Sequence, residues 1–171
     1  MLDVVLTIIN VILAVVSALG AWNSIKYFRK SKNLTIFAQT NKALVEVQKM
    51  LMKLPEALSA SNSSRRGKKG LSLHNTLCDI GKELNANLTE INSNIPTEYS
   101  DAIRQLQNKD GFILQAYINS YISGDAVQNN GIDSENFNVC QVRLLEIQDY
   151  LKKSGTGNRR KIEIKIHQKL Y

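Results

Sequence analysis

The sequence predicts an all-α protein: an N-terminal transmembrane helix followed by a helical bundle. Three observations predict it. Val4 to Ile25 carries no charge over 22 residues. Beyond it, apolar residues recur at steps of three and four in successive segments, the period of helices with one buried face. Proline, glycine and short polar runs separate those segments, and such residues stop helices and start turns. A boundary near residue 30 divides the 171-residue chain into an anchor with its juxtamembrane basic segment, 1–30, and a cytoplasmic bundle, 31–171. The second part has the size of one domain.

At 1.5 Å per residue the uncharged run reaches roughly 33 Å as a helix, enough to cross a hydrocarbon core of ~30 Å. Its greasy positions, among them Leu6, Ile8, Ile9, Val11, Ile12, Leu13, Val15, Val16 and Leu19, suit lipid. Thr7, Asn10, Ala14, Ser17, Ala21 and Ser24 recur at alternating steps of three and four. They form one stripe of small and polar residues, the composition through which membrane helices approach and hydrogen-bond one another. The stripe predicts self-association, and it fits either a tight helix contact or the wall of a water-filled pore. Only Asp3 precedes the run, whereas Lys26, Arg29, Lys30 and Lys32 follow it directly. Positive residues stay on the cytoplasmic side, so the N-terminus is expected outside and the rest inside. Trp22 and Tyr27 stand where interfacial aromatics are expected. Met-Leu-Asp supplies no positive n-region, so the run is read as a retained span rather than a cleaved signal.

The formal charge of +7 is segregated. Residues 26–70 hold 11 Lys/Arg against Glu46 and Glu56; residues 71–150 hold 4 basic and 11 acidic; residues 151–171 hold 7 basic against Glu163. Basic ends around an acidic middle fit anionic lipid headgroups, a nucleic-acid surface or charge pairing between copies. Lipid is the natural partner of Lys26, Arg29, Lys30 and Lys32, which adjoin the span.

After the anchor, Thr35 to Leu58 reads as a helix on Phe37, Leu44, Leu51 and Leu58, seven apart, with Val47 and Leu54 between them. No Pro or Gly stands between Gly20 and Pro55, so anchor and helix are expected to run together, with a kink at Pro55 in the last turn. Ser59 to Gly70 reads as a basic, flexible linker. Leu71 to Ile95 is the next helix, stopped by Pro96; Thr97 or Ser100 is expected to cap its successor. Asn108 to Gly111 marks a turn. Phe112 to Ile122 fits a helix, with a strand as the alternative. Gly124 to Asp133 is a loop, and Ser134 is the expected cap of a helix on Phe137, Cys140, Leu144, Ile147 and Leu151. Ser154 to Gly157 is expected to end it. The tail Lys161 to His167 alternates polar residues with Ile162, Ile164 and Ile166, a strand signal, yet Ile162, Ile166 and Leu170 also fit a helix. Helix is preferred, because a lone strand lacks a partner.

Cys78 and Cys140 fall among apolar helical neighbours without a CxxC spacing, and His74 and His167 are scattered. They read as structural, and no cofactor or metal is expected. No nucleotide fingerprint, Ser-His-Asp set or carboxylate pair points to a metabolic enzyme.

Arg160 is followed after six residues by His167. This spacing resembles the Arg-x4–6-His signature of HEPN domains, small helical bundles of RNA-cleaving and defence proteins. On a helix the pair lies two turns apart on one face. The resemblance implies that Arg160 would neutralise a phosphate and His167 shuttle a proton, in a site usually built from two copies. Lys161 stands where such motifs often carry Asn, Asp or His, which implies a diverged site. An anchor followed by a HEPN-like bundle is similar to the small membrane accessory proteins of type VI-B CRISPR systems, which work beside an RNA-guided RNA nuclease. That resemblance implies a ring-like homo-oligomer forming a pore in the bacterial inner membrane and serving anti-phage defence. RNA or the nuclease complex would be its further partner. A membrane-tethered ribonuclease and a single-pass helical adaptor are the alternative readings.

Overall fold

The computed structural model describes residues 2–64, 70–125, 127–128 and 131–167, with side chains over 6–61, 72–125 and 132–155. It is all-α. One helix, α1, runs without interruption over Leu2–Ser64, 63 residues, about 95 Å at 1.5 Å per residue. Anchor and first bundle helix are therefore one element, and the boundary at residue 30 falls inside it. α1 also continues past Pro55 to Ser64, so the proline does not lie in a last turn and Ser59–Ser64 is helical rather than linker. Arg65, Arg66, Lys68 and Lys69 lie outside the described residues.

The buried line of α1 is Thr40, Ala43, Val47, Met50, Leu54, Ala57 and Ser61, a strict alternation of three and four. It includes Val47 and Leu54, both expected on the packing face, and is displaced from the line of Phe37, Leu44, Leu51 and Leu58. The displacement has a packing cause. α1 is flanked by two helices, α2 (Gly70–Asn94) and α5 (Ser134–His167). The buried line itself is small at its ends and large in its middle, where Val47, Met50 and Leu54 pack, and Leu44, Leu51 and Leu58 lie at its edges, half-buried against the core.

α2 forms as expected. Its face of Leu77, Ile80, Leu84, Leu88 and Ile91 is buried against α1. Lys53 pairs with Glu83 at 2.9 Å and Lys42 with Glu90 at 4.0 Å, which makes the two helices antiparallel. α3 (Thr97–Gln107) starts after Pro96, whose carbonyl accepts from the Tyr99 amide at 2.9 Å. Neither Thr97 nor Ser100 caps it. Ser100 lies inside the helix and donates back to the Thr97 carbonyl, the usual interior behaviour of a hydroxyl. The Asn108–Gly111 turn is present, with Asp110 and Gly111 at φ of 56° and 78°.

Phe112–Ile122 resolves as helix, α4 (Leu114–Ser123), closed by left-handed Gly124 at φ 90°. A two-residue antiparallel ladder, β1 (Val127–Gln128) with β2 (Gly131–Ile132), interrupts the next loop. Asp133, not Ser134, caps α5: its carboxylate accepts from the Glu135 amide at 3.1 Å. The helix then passes through Gly155 and Gly157 to His167. The expected stop at residues 154–157 is absent, and the tail is helical. Each glycine costs about 1 kcal/mol in a helix interior, but Gly155 is buried, and a Cβ there would stand 3.6 Å from Thr40 Cγ2 on α1. Contact with α1 holds the helix through a weak point.

α4 lies close on α2 at Gly81. A Cβ added there would meet Ile122 Cγ1 at 2.8 Å, Tyr121 Cβ at 2.9 Å and the Ile122 amide at 3.2 Å. Two of these atoms belong to backbone or its first carbon, so they cannot swing aside. Gly81→Ala should destabilise the bundle by about 1–3 kcal/mol, despite a helix-propensity gain of about 1 kcal/mol. The measurement is the urea midpoint of the detergent-solubilised chain, and an unchanged midpoint would contradict so close an approach.

Candidate functional site

The first candidate surface is the exposed side of α1. Its N-terminal part is long and apolar enough to cross a membrane, and none of the apolar window is buried within the chain. Of the stripe, Thr7, Asn10, Ala14, Ser17, Ala21 and Ser24 are all exposed. Their heptad lines do not stop at the anchor. The line through Asn10, Ser17 and Ser24 continues, seven residues at a time, to Ser31, Ala38, Val45 and Met52. Each of these is exposed as well, Met52 at 70%. The parallel line through Thr7, Ala14 and Ala21 runs on to Phe28, also 70% exposed. The bundle is built on a different pair of heptad lines, those of Thr40 and Ala43. α1 therefore carries two seams: one is filled by α2 and α5, and the other is open from the anchor into the bundle. The continuation went unread in the sequence because Val45 and Met52 look like ordinary core residues until the buried line is known.

The second surface is the base of the bundle. Lys26 stands over the Trp22 ring, 5.5 Å from its centroid, a cation–π contact at the start of the basic cluster. Lys32 pairs with Glu98 at the start of α3 at 2.8 Å, and this hydrogen bond holds the Glu98 carboxyl below the usual range. Lys32 is thus shared between the cluster and the bundle. An open groove lies between α1 and α3 here, lined by Phe28, Ser31, Thr35, Ile36 and Thr97. The pairs of Lys32, Lys42 and Lys53 with acids of α2 and α3 show where part of the segregated charge goes: it meets within one chain.

Arg160 and His167 share the uninterrupted helix α5, seven positions apart. Their side chains lie outside the described residues, so the structure fixes their common helix and leaves their contacts undescribed. Cys140 is buried and its thiol is pushed up to about 12 by desolvation, which makes it inert; Cys78 is half-buried. Among the described residues no group of three or more His, Cys, Asp or Glu gathers around a common point.

Sequence reasoning missed two polar features of the core. The Tyr117 and Tyr121 hydroxyls lie 2.9 Å apart on α4 and satisfy each other; burial raises both, Tyr121 to about 12. The other is Arg143, whose side chain is only 8% exposed. It donates to Glu146 Oε2 at 2.8 Å and to Asp110 Oδ2 at 2.7 Å, tying the α3–α4 turn to α5. The Arg143 hydrogen bond also lowers the Glu146 carboxyl, against desolvation and with help from Lys109. A readable signal existed: an arginine inside the apolar stripe of Cys140, Leu144 and Ile147, with a glutamate three residues on. Both contacts act as structural clamps: the tyrosines pair within α4, and Arg143 ties the α3–α4 turn to α5.

No protein-family model, no curated protein and no solved structure matches this chain. The functional reading therefore stands on its own residues and on the resemblance drawn from them.

Removing Arg143 leaves Glu146 and Asp110 able to turn to water, so Arg143→Met should cost about 1–2 kcal/mol and not the roughly 3–5 of a fully buried pair. The sign with pH follows from the lowered Glu146. Its contribution is complete above the unfolded carboxylate value of about 4.3 and disappears as pH falls through the folded value. Urea midpoints taken from pH 7 down to about 3 should fall for the native chain, and more shallowly for Arg143→Met. Parallel curves would remove the pair from the account.

Proposed function

We propose that this chain is a single-pass membrane effector that assembles with copies of itself and perturbs the membrane it crosses. Its N-terminus lies outside and its bundle in the cytoplasm. The observation that carries this reading is the open seam of α1. An anchor that only tethered a domain would need an apolar surface and nothing more. Here a line of small and polar residues runs down the anchor and continues, still exposed, along the first bundle helix. Seven-residue repeats of this kind pack helix against helix, and small residues bring membrane helices close. Because α1 is one helix, copies joined along it would hold anchors and bundles in one register. The stripe either packs anchor against anchor or, in a ring, turns Thr7, Asn10 and Ser17 towards the axis and offers water a polar path. The inner-membrane setting, the part in anti-phage defence and the HEPN-like character of the bundle enter this proposal from the resemblance to the type VI-B accessory family.

Expression of the native chain should dissipate the membrane potential of the host cell, read with a potential-sensitive dye, and the purified protein should have an oligomeric mass in detergent. Asn10→Leu with Ser17→Leu should leave insertion intact and reduce both. A monomeric mass together with an undisturbed potential at high expression would defeat the proposal.

The tethered-ribonuclease reading is supported by one observation, the unbroken helix that carries both Arg160 and His167, seven positions apart. It predicts RNA cleavage by the purified chain, lost in Arg160→Ala and in His167→Ala. Cleavage that survives both changes would exclude this pair as its source.

A further inference from the structure

The C-terminal half of α5 returns towards the level at which α1 would enter the membrane. Two contacts fix the register. The Ile132 amide donates to Ser61 Oγ at 2.9 Å, and Gly155 lies against Thr40. α5 therefore runs antiparallel to α1, back towards the N-terminal segment. From Gly155 it continues helical to His167, about 18 Å at 1.5 Å per residue. The same number of residues on α1 leads from Thr40 to Phe28. The end of α5 thus stands level with Lys26, Arg29 and Lys30, the first charges after the apolar run.

The charge of this extension matches that place. Residues 156–167 carry Arg159, Arg160, Lys161 and Lys165 against Glu163, and Lys169 follows. Lys161 and Lys165 fall level with residues 34 and 30, about 12 and 6 Å beyond Lys26 along the axis. A Debye length is about 8–10 Å at physiological salt, so both stand where an anionic surface still attracts. The acidic share of the chain, residues 71–150, belongs mostly to the part of the bundle farther along α1. We propose that the C-terminal part of α5 is a second membrane contact, which binds anionic lipid headgroups beside the point where α1 enters the bilayer. It rests on the reading of α1 as a membrane span. Helix α1 sets the height of the bundle above the surface, and a second contact away from its axis would fix the tilt.

The test uses the full chain in vesicles of phosphatidylcholine, with and without added phosphatidylglycerol, carrying bromine on the acyl chains near the headgroup. Native Trp22 reports the span. A second protein, Trp22→Phe with Ile166→Trp, reports the tail. The tail probe should be quenched in the anionic vesicles, less in the neutral ones, and less again as salt is added. Each of Arg159→Gln, Lys161→Gln and Lys165→Gln, made in the second protein, should weaken the tail's association about fivefold. Quenched Trp22 with an unquenched tail probe in anionic vesicles would overturn this proposal alone, whereas an unquenched Trp22 would overturn the span and the proposal together. Tail quenching that single-stranded RNA abolishes, while Trp22 stays quenched, would assign the basic cluster to nucleic acid and overturn it as well.

Discussion

Everything in this fold depends on α1 being one helix. An apolar run and a bundle helix are commonly joined by a flexible segment, and each then orients independently. Here no residue between Gly20 and Pro55 favours a break, and the helix passes through both. A rotation about the axis of its apolar half is therefore a rotation of the bundle. The phase of the two seams along α1 becomes a fixed property of the molecule, set by covalent geometry and backbone hydrogen bonds rather than by a hinge.

The bundle is arranged to respect that constraint. α2 and α5 both run antiparallel to α1 and share its buried line, with Val47, Met50 and Leu54 in the middle and Thr40, Ala43, Ala57 and Ser61 towards the ends. α4 closes on α2 at Gly81, and α3 on α5 through the Tyr99 and Tyr150 rings, 6.0 Å apart and edge-to-face. Arg143 joins the two halves by taking a carboxylate from the α3–α4 turn and one from its own helix. Asp110, in the left-handed region at φ 56°, is held there by a charged hydrogen bond. Asp tolerates that conformation better than most residues.

Much of this was legible in the sequence where a signal was local. The uncharged run, the period of α2, the stop at Pro96 and the turn at Asn108–Gly111 all follow from nearest neighbours along the chain, whereas the helical tail follows from the want of a partner for a lone strand. Where two elements compete for one face, local reading failed. Leu44, Leu51 and Leu58 form the most apolar heptad line of α1, yet the centre passes through Ala43, Val47, Met50, Leu54 and Ala57, between two partner helices. Gly155 and Gly157 look like a stop because propensity disfavours them, and contact with Thr40 outweighs that cost of about 1 kcal/mol per glycine. Asp133 and Ser134 are both good caps, and the sequence does not say which of two adjacent candidates stands outside the first turn. For the candidate surfaces, the stripe of the anchor was readable, but its continuation to Val45 and Met52 was not. That distinction needs to know which residues the bundle consumes.

In the assembly we propose, the continuation would constrain how copies meet. A line of residues seven apart drifts by about 20° per heptad on a straight helix, so over the six heptads from Asn10 to Met52 it would wander by about 120°. Two straight copies could then touch within the anchor or within the bundle, but not in both. Contact along the whole line requires α1 to supercoil left-handedly, as coiled-coil helices do. Among the described residues, α1 is buried by its neighbours from Thr40 to Ser61, and that stretch opposes such bending. Residues 6–32 are exposed, and Lys32 pairs there with Glu98. Any adjustment between the two contacts therefore falls on the stretch from Ser24 to Ala38, where the open seam holds Phe28, Ser31 and Thr35 and where α3 first touches α1. A change in the fit between assembled anchors would reach the bundle through this stretch, because the covalent path and the first tertiary contact coincide there.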